Sequence, residues 1–199
     1  MSRFLASALL AASLFTAPAV FAAGPDTSPA NLPAGAYAVD KTHASITGHV
    51  LHMGLSMYTF RFDRFDAGYS YDPKAPTASK VQVSVDTKSM NTGFAKADEE
   101  FPVEFLAADK FPKATFTSTK IVDKGNGTGT MTGDLTLGGV TKPVTLDVTY
   151  RGTTKGMRGE TRAGFSAKTV VKRSEFGLTK YIPMIGDEVA LDIEIEFTK

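Results

Sequence analysis

The stretch VALDIEIEFT, residues 189–198, alternates apolar and polar side chains at almost every step. A β-strand places successive side chains on opposite faces, so this segment has one apolar face and one acidic face. A sheet built from such strands has to bury its apolar face. Closing the sheet into a barrel buries that face and also removes the unpaired edges.

The same period of two recurs along most of the chain. Strand-like segments occupy residues 37–40, 43–51, 58–71, 81–86, 115–122, 129–137, 144–150 and 164–172, with Gly, Asn and Pro turns between them. Residues 91–109 lack the alternation and predict one or two short helices, with Pro102 in the first turn of the second. The pattern therefore predicts an all-β fold, an antiparallel barrel of eight or nine strands with a short helical insertion.

The N-terminus has the features of a secretory signal peptide. Arg3 is followed by an apolar run over residues 4–15, and Val20-Phe21-Ala22 has small residues at the spacing of a cleavage site. The apolar run is too short for a membrane-spanning helix, which needs about 20 residues. We expect cleavage after residue 22, export to the periplasm, a flexible tail over residues 23–36 and a single barrel domain over residues 37–199.

Composition limits the classes of partner. Removing the first 22 of 199 residues leaves 177 residues with a net charge of zero. The chain has no long basic run, so nucleic acid and anionic membrane surfaces are not expected partners. The sequence contains no cysteine, which excludes disulfides and thiolate metal sites. A small apolar or amphiphilic molecule, or another protein, is the expected partner.

Metal and catalytic motifs are not found. His43 and His49 share one face of a strand but lie roughly 20 Å apart, whereas zinc ligands lie within about 2 Å of one ion. The chain has no Gly-x-Ser-x-Gly motif, and the glycine-rich residues 125–129 predict a hairpin turn. We therefore predict no metal, no cofactor and no catalytic residue.

The inward faces of the predicted strands supply candidate ligand-binding residues. Arg173 and Phe165 both have odd numbers, so their side chains are expected on the same inward face of the strand. Because Arg173 follows the end of this strand, we expect it at the mouth of the barrel. There it would contact a polar head group or form a salt bridge with an acidic residue at a strand end. The candidates are Val83, Phe116, Leu135, Leu137, Leu146, Phe165, Arg173, Leu191 and Ile193.

Several segments together resemble the YceI-like family of exported proteins. They are YAVDKTHAS (37–45), HMGLS (52–56), RFDRFD (61–66), ATFTST (114–119), GDLTLGGVTKPVTL (133–146), KRSEFGL (172–178) and GDEV (186–189). The resemblance implies a lipocalin-like barrel that holds an isoprenoid such as a polyprenyl quinone, or a fatty acid or fatty amide, and that forms homodimers in some members. The helical insertion over residues 90–103 is shorter than in similar members, which implies a smaller lid or a different ligand.

These observations favour a non-catalytic periplasmic carrier that holds a long-chain isoprenoid or related lipid inside the barrel. Two alternatives stay open. An enzyme acting on a lipid or quinone would need convergent polar residues inside the barrel. A protein-interaction module would have a filled interior and an exposed apolar patch.

Overall fold

The computed structural model of the protein describes residues 24–199, so the predicted signal peptide lies outside the described residues. Within this range the chain forms ten β-strands and one α-helix, α1 (Ala95–Leu106), together with short 3-10 turns. The strands are β1 (Gly35–His52), β2 (Ser56–Phe62), β3 (Phe65–Tyr71), β4 (Lys80–Asp86), β5 (Met90–Asn91), β6 (Lys113–Gly125), β7 (Thr128–Leu137), β8 (Val140–Lys155), β9 (Thr161–Lys172) and β10 (Ile185–Thr198).

Eight of these strands form a closed antiparallel barrel. Each strand pairs with the next around the ring β1-β3-β4-β6-β7-β8-β9-β10, and β10 pairs back with β1. The short strands β2 and β5 extend the sheet at one end. We call the end with the β1–β2 turn the upper end and the end at which β10 finishes the lower end. The closed ring confirms the predicted all-β barrel.

The boundaries of the first strands differ from the prediction. Residues 35–52 form one continuous strand, β1, instead of two. The predicted strand over residues 58–71 is divided at Asp63 and Arg64, whose backbone N–H groups donate to the carbonyl and the Oγ of Ser89. The alternation shifts by one residue at this break. Even-numbered side chains of β2 point into the barrel, whereas odd-numbered side chains do so at the end of β3.

The contact between β4 and β6 is short, and only the contact between β1 and β3, with four residue pairs, is shorter. β4 pairs with β6 only from Gln82 to Asp86, opposite Thr117 to Lys113. The remainder of β6 pairs with β7 alone, and the Val81 N–H donates to the Oγ of Ser118 instead of to a backbone carbonyl. The two strands therefore diverge toward the lower end.

Helix α1 covers the upper end. Pro102 lies inside the helix, which differs from the expected position in the first turn of a second helix. The helix ends at Ala107, which has a left-handed φ of 51°, and the Ala108 N–H donates to the carbonyl of Pro102. Within the described residues the insertion thus holds a single helix.

The segment before β1 packs against the lower end of the barrel. Leu32 is only 1% exposed and lies in a cluster of buried apolar and aromatic side chains. The hydroxyls of Tyr37 and Tyr71 donate to the carbonyls of Pro33 and Pro29, at 2.5 and 2.7 Å. Residues 28–34 thus differ from the expected flexible tail, because an apolar side chain and two phenol donors hold them in place.

Replacing Leu32 by alanine should lower the free energy of unfolding by about 3 kcal/mol, since the change leaves a cavity in a packed cluster. Urea unfolding followed by circular dichroism measures the effect. Leu55→Ala is the matched control, because Leu55 is 81% exposed and its truncation should cost less than about 0.5 kcal/mol. Equal unfolding curves for the two variants would show that residues 28–34 do not pack on the barrel.

Candidate functional site

The barrel encloses an elongated cavity of about 510 Å³. Its walls are formed by the inward side chains of the strands, which are mostly Val, Leu, Ile and Phe. The lining reaches from Tyr150 and Phe197 at the lower end to Phe101 and Ile185 at the upper end. A cavity of this volume lies within the range of about 300–1,000 Å³ that is usual for ligand pockets.

The length of the cavity follows from strand geometry. On β10 the lining residues run from Ile185 to Phe197. At about 3.3 Å per residue and a tilt of about 40°, this distance corresponds to roughly 30 Å along the barrel axis. This span is similar to the hydrocarbon thickness of a whole bilayer, which is about 30 Å.

All nine predicted binding residues line this cavity. The eight apolar residues come from β4, β6, β7, β8, β9 and β10, and alternation along each strand brings them to one internal wall. Contact between these side chains and a ligand stays a prediction.

Apart from Phe116 and Phe165, the sequence analysis did not assign the aromatic lining residues. β2 and β3 contribute five of them, and the sequence analysis predicted only strands for their segment. The parity change after Phe62 prevents a single alternation from selecting all five. They are Tyr58, Phe60, Phe62, Tyr69 and Tyr71. The inward face of α1 was also missed, because its spacing follows a helical period. Phe101 and Phe105 lie on this face.

Arg173 lies at the upper end and lines the cavity, but its guanidinium bonds to backbone carbonyls between the end of β9 and the start of β10. The side chain is 6% exposed and donates to four carbonyls at 2.8–2.9 Å. Burial lowers the pKa of this group, and Asp187 opposes the shift. The geometry corrects the expectation of a head-group contact, because four backbone carbonyls already accept the hydrogen bonds of the guanidinium. The carbonyls belong to Leu178, Lys180, Ile185 and Gly186.

Aromatic rings connect α1 with the loop between β9 and β10 at the upper end. Tyr58 contacts Phe101, Phe101 contacts Phe105, and Phe105 contacts Tyr181, with ring centroids 5.1–6.1 Å apart. A salt bridge of 2.5 Å joins Glu104 on α1 to Lys180 on the loop. The hydrogen bond from Lys180 lowers the pKa of Glu104. Helix α1 and the loop therefore form one lid.

A cluster of potential metal ligands lies outside the cavity. Asp40, His43 and Glu196 come together on the barrel surface. However, Arg162 Nη1 donates to both carboxylates, at 2.7 Å to Asp40 Oδ2 and 2.9 Å to Glu196 Oε2. Hydrogen bonds from Thr42, His43 and Arg162 hold the pKa of Asp40 well below its usual range. The guanidinium already supplies the positive charge that these carboxylates require.

The three histidines occupy separate places. His43 belongs to the surface cluster, His49 contacts Asp192 on the outer face, and His52 lines the upper cavity. Among the described residues, no helix has the length and apolar character needed to cross a membrane.

Comparisons with known proteins give a consistent family. A family model for the YceI-like domain matches residues 37–197. A UPF0312 protein of Shewanella oneidensis is 40% identical over 199 residues and covers 98% of both chains. A UPF0312 protein of Vibrio parahaemolyticus is 41% identical over 171 residues, or 82% of this chain and 88% of the relative.

Solved structures share the fold. The YCEI protein of Campylobacter jejuni is 32% identical, with a TM-score of 0.65 over 75% of this chain and 89% of that chain. BcnA of Burkholderia cenocepacia is 24% identical, with a TM-score of 0.71 over 79% and 98%. A polyisoprenoid binding domain from Saccharophagus degradans is 18% identical, with a TM-score of 0.61 over 81% and 97%.

Replacing Arg173 by methionine should lower the free energy of unfolding by about 3 kcal/mol, because four buried carbonyls lose their donor. Arg173→Lys should also be destabilising, since one ammonium cannot reproduce the planar fork. The control is Arg158→Met in the exposed β8–β9 turn, where a change below about 0.5 kcal/mol is expected. Equal denaturation midpoints for Arg173→Met and Arg158→Met would contradict a structural role for Arg173.

Proposed function

Because the chain belongs to the YceI-like family, we propose that it is a non-catalytic binding protein that holds a long-chain isoprenoid or related lipid in its barrel. The apolar cavity along the barrel axis is the observation that carries this proposal. We further propose that the protein works in the periplasm, as its N-terminal sequence suggests, and carries or stores its ligand there.

Apolar contact supplies enough free energy for such binding. Burying about ten methylene groups contributes up to about 8 kcal/mol, before the cost of ordering the ligand. This value corresponds to a Kd of roughly 1 µM, and a longer chain would bind more tightly. A polar recognition site is therefore not required for affinity, which is consistent with walls made mostly of aliphatic and aromatic side chains.

The length of the cavity favours an isoprenoid over a single short acyl chain. A span of roughly 30 Å is similar to the hydrocarbon thickness of a whole bilayer, which two acyl chains placed end to end fill. The Saccharophagus degradans domain that shares this fold is named for polyisoprenoid binding. The fold similarity and the length of the cavity point in the same direction.

The two alternatives receive less support from the site. A protein-interaction module with a filled interior does not agree with an internal cavity of about 510 Å³. For an enzyme, the charged lining residues should converge on one point. Instead, His52 and Arg173 lie at the upper end, and Asp123 lies near the lower end.

Mass spectrometry of the native ligand tests the proposal directly. The full chain is expressed with its own leader, purified from the periplasmic fraction and extracted under denaturing conditions. We expect an isoprenoid or a related long-chain lipid in about stoichiometric amount. The proposal would be wrong if no lipid is extracted and if added polyprenyl or acyl probes also fail to bind.

A cavity-filling variant should separate binding from folding. Val148 faces the cavity between two small neighbours, Gly129 and Ala167, which leave room for a larger ring. Val148→Trp should therefore fold but bind a fluorescent long-chain probe at least about 10-fold more weakly, because the indole occupies the space of several methylene groups.

Val170→Trp is the matched control for this experiment. Val170 is 56% exposed on β9, so an indole at this position stays outside the barrel. Thermal unfolding of both variants checks that each is folded. Equal probe affinities for two folded variants would place the binding site outside the cavity.

A further inference from the structure

The lower part of the cavity contains one buried hydroxyl group without a partner. Tyr150 is 8% exposed and lines the cavity, and no group of the described chain lies within hydrogen-bond distance of its hydroxyl oxygen. The Thr153 hydroxyl lies close enough to lower the pKa of Tyr150 slightly, but it donates its own proton to the carbonyl of Arg162. Tyr37 and Tyr71 lie in the same aromatic cluster, but each of them donates to a backbone carbonyl. Buried hydroxyls in folded proteins are nearly always paired, so an atom from outside the described chain is the expected partner.

The hydroxyls at this end are neutral donors. Burial raises the pKa of Tyr150 to about 12 and also raises the pKa of Tyr69, which lines the same region. Both phenols therefore keep their protons at neutral pH. A protonated phenol donates best to an oxygen that has lone pairs and no proton of its own to place, such as a carbonyl.

The charges around this position disfavour an anionic group. The cavity lining contains three charged or titratable groups apart from its tyrosines, at His52, Asp123 and Arg173. Arg173 is bonded to backbone carbonyls at the upper end, where His52 also lies. Asp123 is the charged lining group near the phenols, and its charge adds to burial in raising the pKa of Tyr71. A carboxylate or phosphate here would face this negative charge with no cation in the nearby cavity lining.

The cavity also approaches the surface at this end. β6 has no β4 partner beyond Thr117, and the 3-10 turn Pro76–Ala78 lies across this gap. Val122 on β6 lines the cavity and is 40% exposed. A ligand with its polar end at this gap can keep part of its head group in water while its hydrocarbon chain extends upward through the barrel.

We propose that the Tyr150 hydroxyl is the head-group contact of the ligand and that it selects an uncharged head with an acceptor oxygen, such as a carbonyl, amide or alcohol. This inference rests on the proposed lipid-binding function and adds the orientation of the ligand. The head group lies between β6 and the Pro76–Ala78 turn, and the tail points toward α1.

Four probes that share one hydrocarbon chain test the inference: oleamide, oleyl alcohol, oleate and the corresponding alkene without a head group. Displacement of a fluorescent long-chain probe at neutral pH gives each affinity for the full mature protein. Oleamide and oleyl alcohol should bind about 5-fold more tightly than the alkene, which is the effect of one net hydrogen bond. Oleate should bind more weakly than oleamide.

Tyr150→Phe should remove the preference for the amide and the alcohol and leave the affinity for the alkene unchanged. Tyr37→Phe is the matched control, because its hydroxyl bonds to Pro33 and its side chain is not part of the cavity lining. It should keep the full preference. Urea unfolding of Tyr150→Phe should show a stability equal to or above that of the parent protein, since no intramolecular hydrogen bond is lost.

The outcomes separate this inference from the proposed function. If all four probes bind equally, or if Tyr150→Phe keeps the preference, the hydroxyl serves a water molecule and the head-group contact is wrong, although the barrel still binds lipid. Tighter binding of oleate than of oleamide would overturn the selection for an uncharged head. If none of the probes binds, the alkene included, the lipid-binding function itself fails.

Discussion

The closure of the sheet between β1 and β10 is the constraint on which the rest of the molecule depends. Once the ring is closed, every second side chain points into a space that no other element enters. The lining residues in the middle of the barrel are mostly Val, Leu and Ile, whose side chains do not meet across an eight-stranded ring. Aromatic clusters lie at the two ends instead.

Segments outside the ring cover the two ends of the barrel, and different interactions hold them in place. At the lower end, Leu32 contributes apolar burial, and the Tyr37 and Tyr71 hydroxyls bond to backbone carbonyls. At the upper end, Arg173 donates to two carbonyls of the loop between β9 and β10 and to the carbonyls of the first two residues of β10. The buried guanidinium therefore fixes the conformation of the chain between β9 and β10. Four charge-assisted hydrogen bonds offset the free-energy cost of its desolvation.

Alternation of side chains was sufficient to predict the barrel and the placement of eight apolar residues on its inner wall. This prediction succeeded because the two-residue alternation of side chains in a strand follows from its backbone geometry alone. The prediction was wrong where the outcome depends on distant partners. The register change at Asp63 and Arg64 depends on Ser89, the order of residues 28–34 depends on phenols from β1 and β3, and the role of Arg173 depends on carbonyls up to 13 residues away. None of these partners is marked by local sequence.

The wall is weak along the short ladder between β4 and β6. The β1–β3 ladder has only four residue pairs, but β2 pairs with the following part of that edge of β1. Local openings of a protein begin where the fewest hydrogen bonds and contacts have to be broken. Widening the barrel along the β4–β6 ladder breaks the bonds of five residue pairs, whereas separating β9 from β10 breaks those of eleven. The barrel wall therefore has a seam at β4–β6, along which it can widen while the other seven interfaces of the ring stay intact.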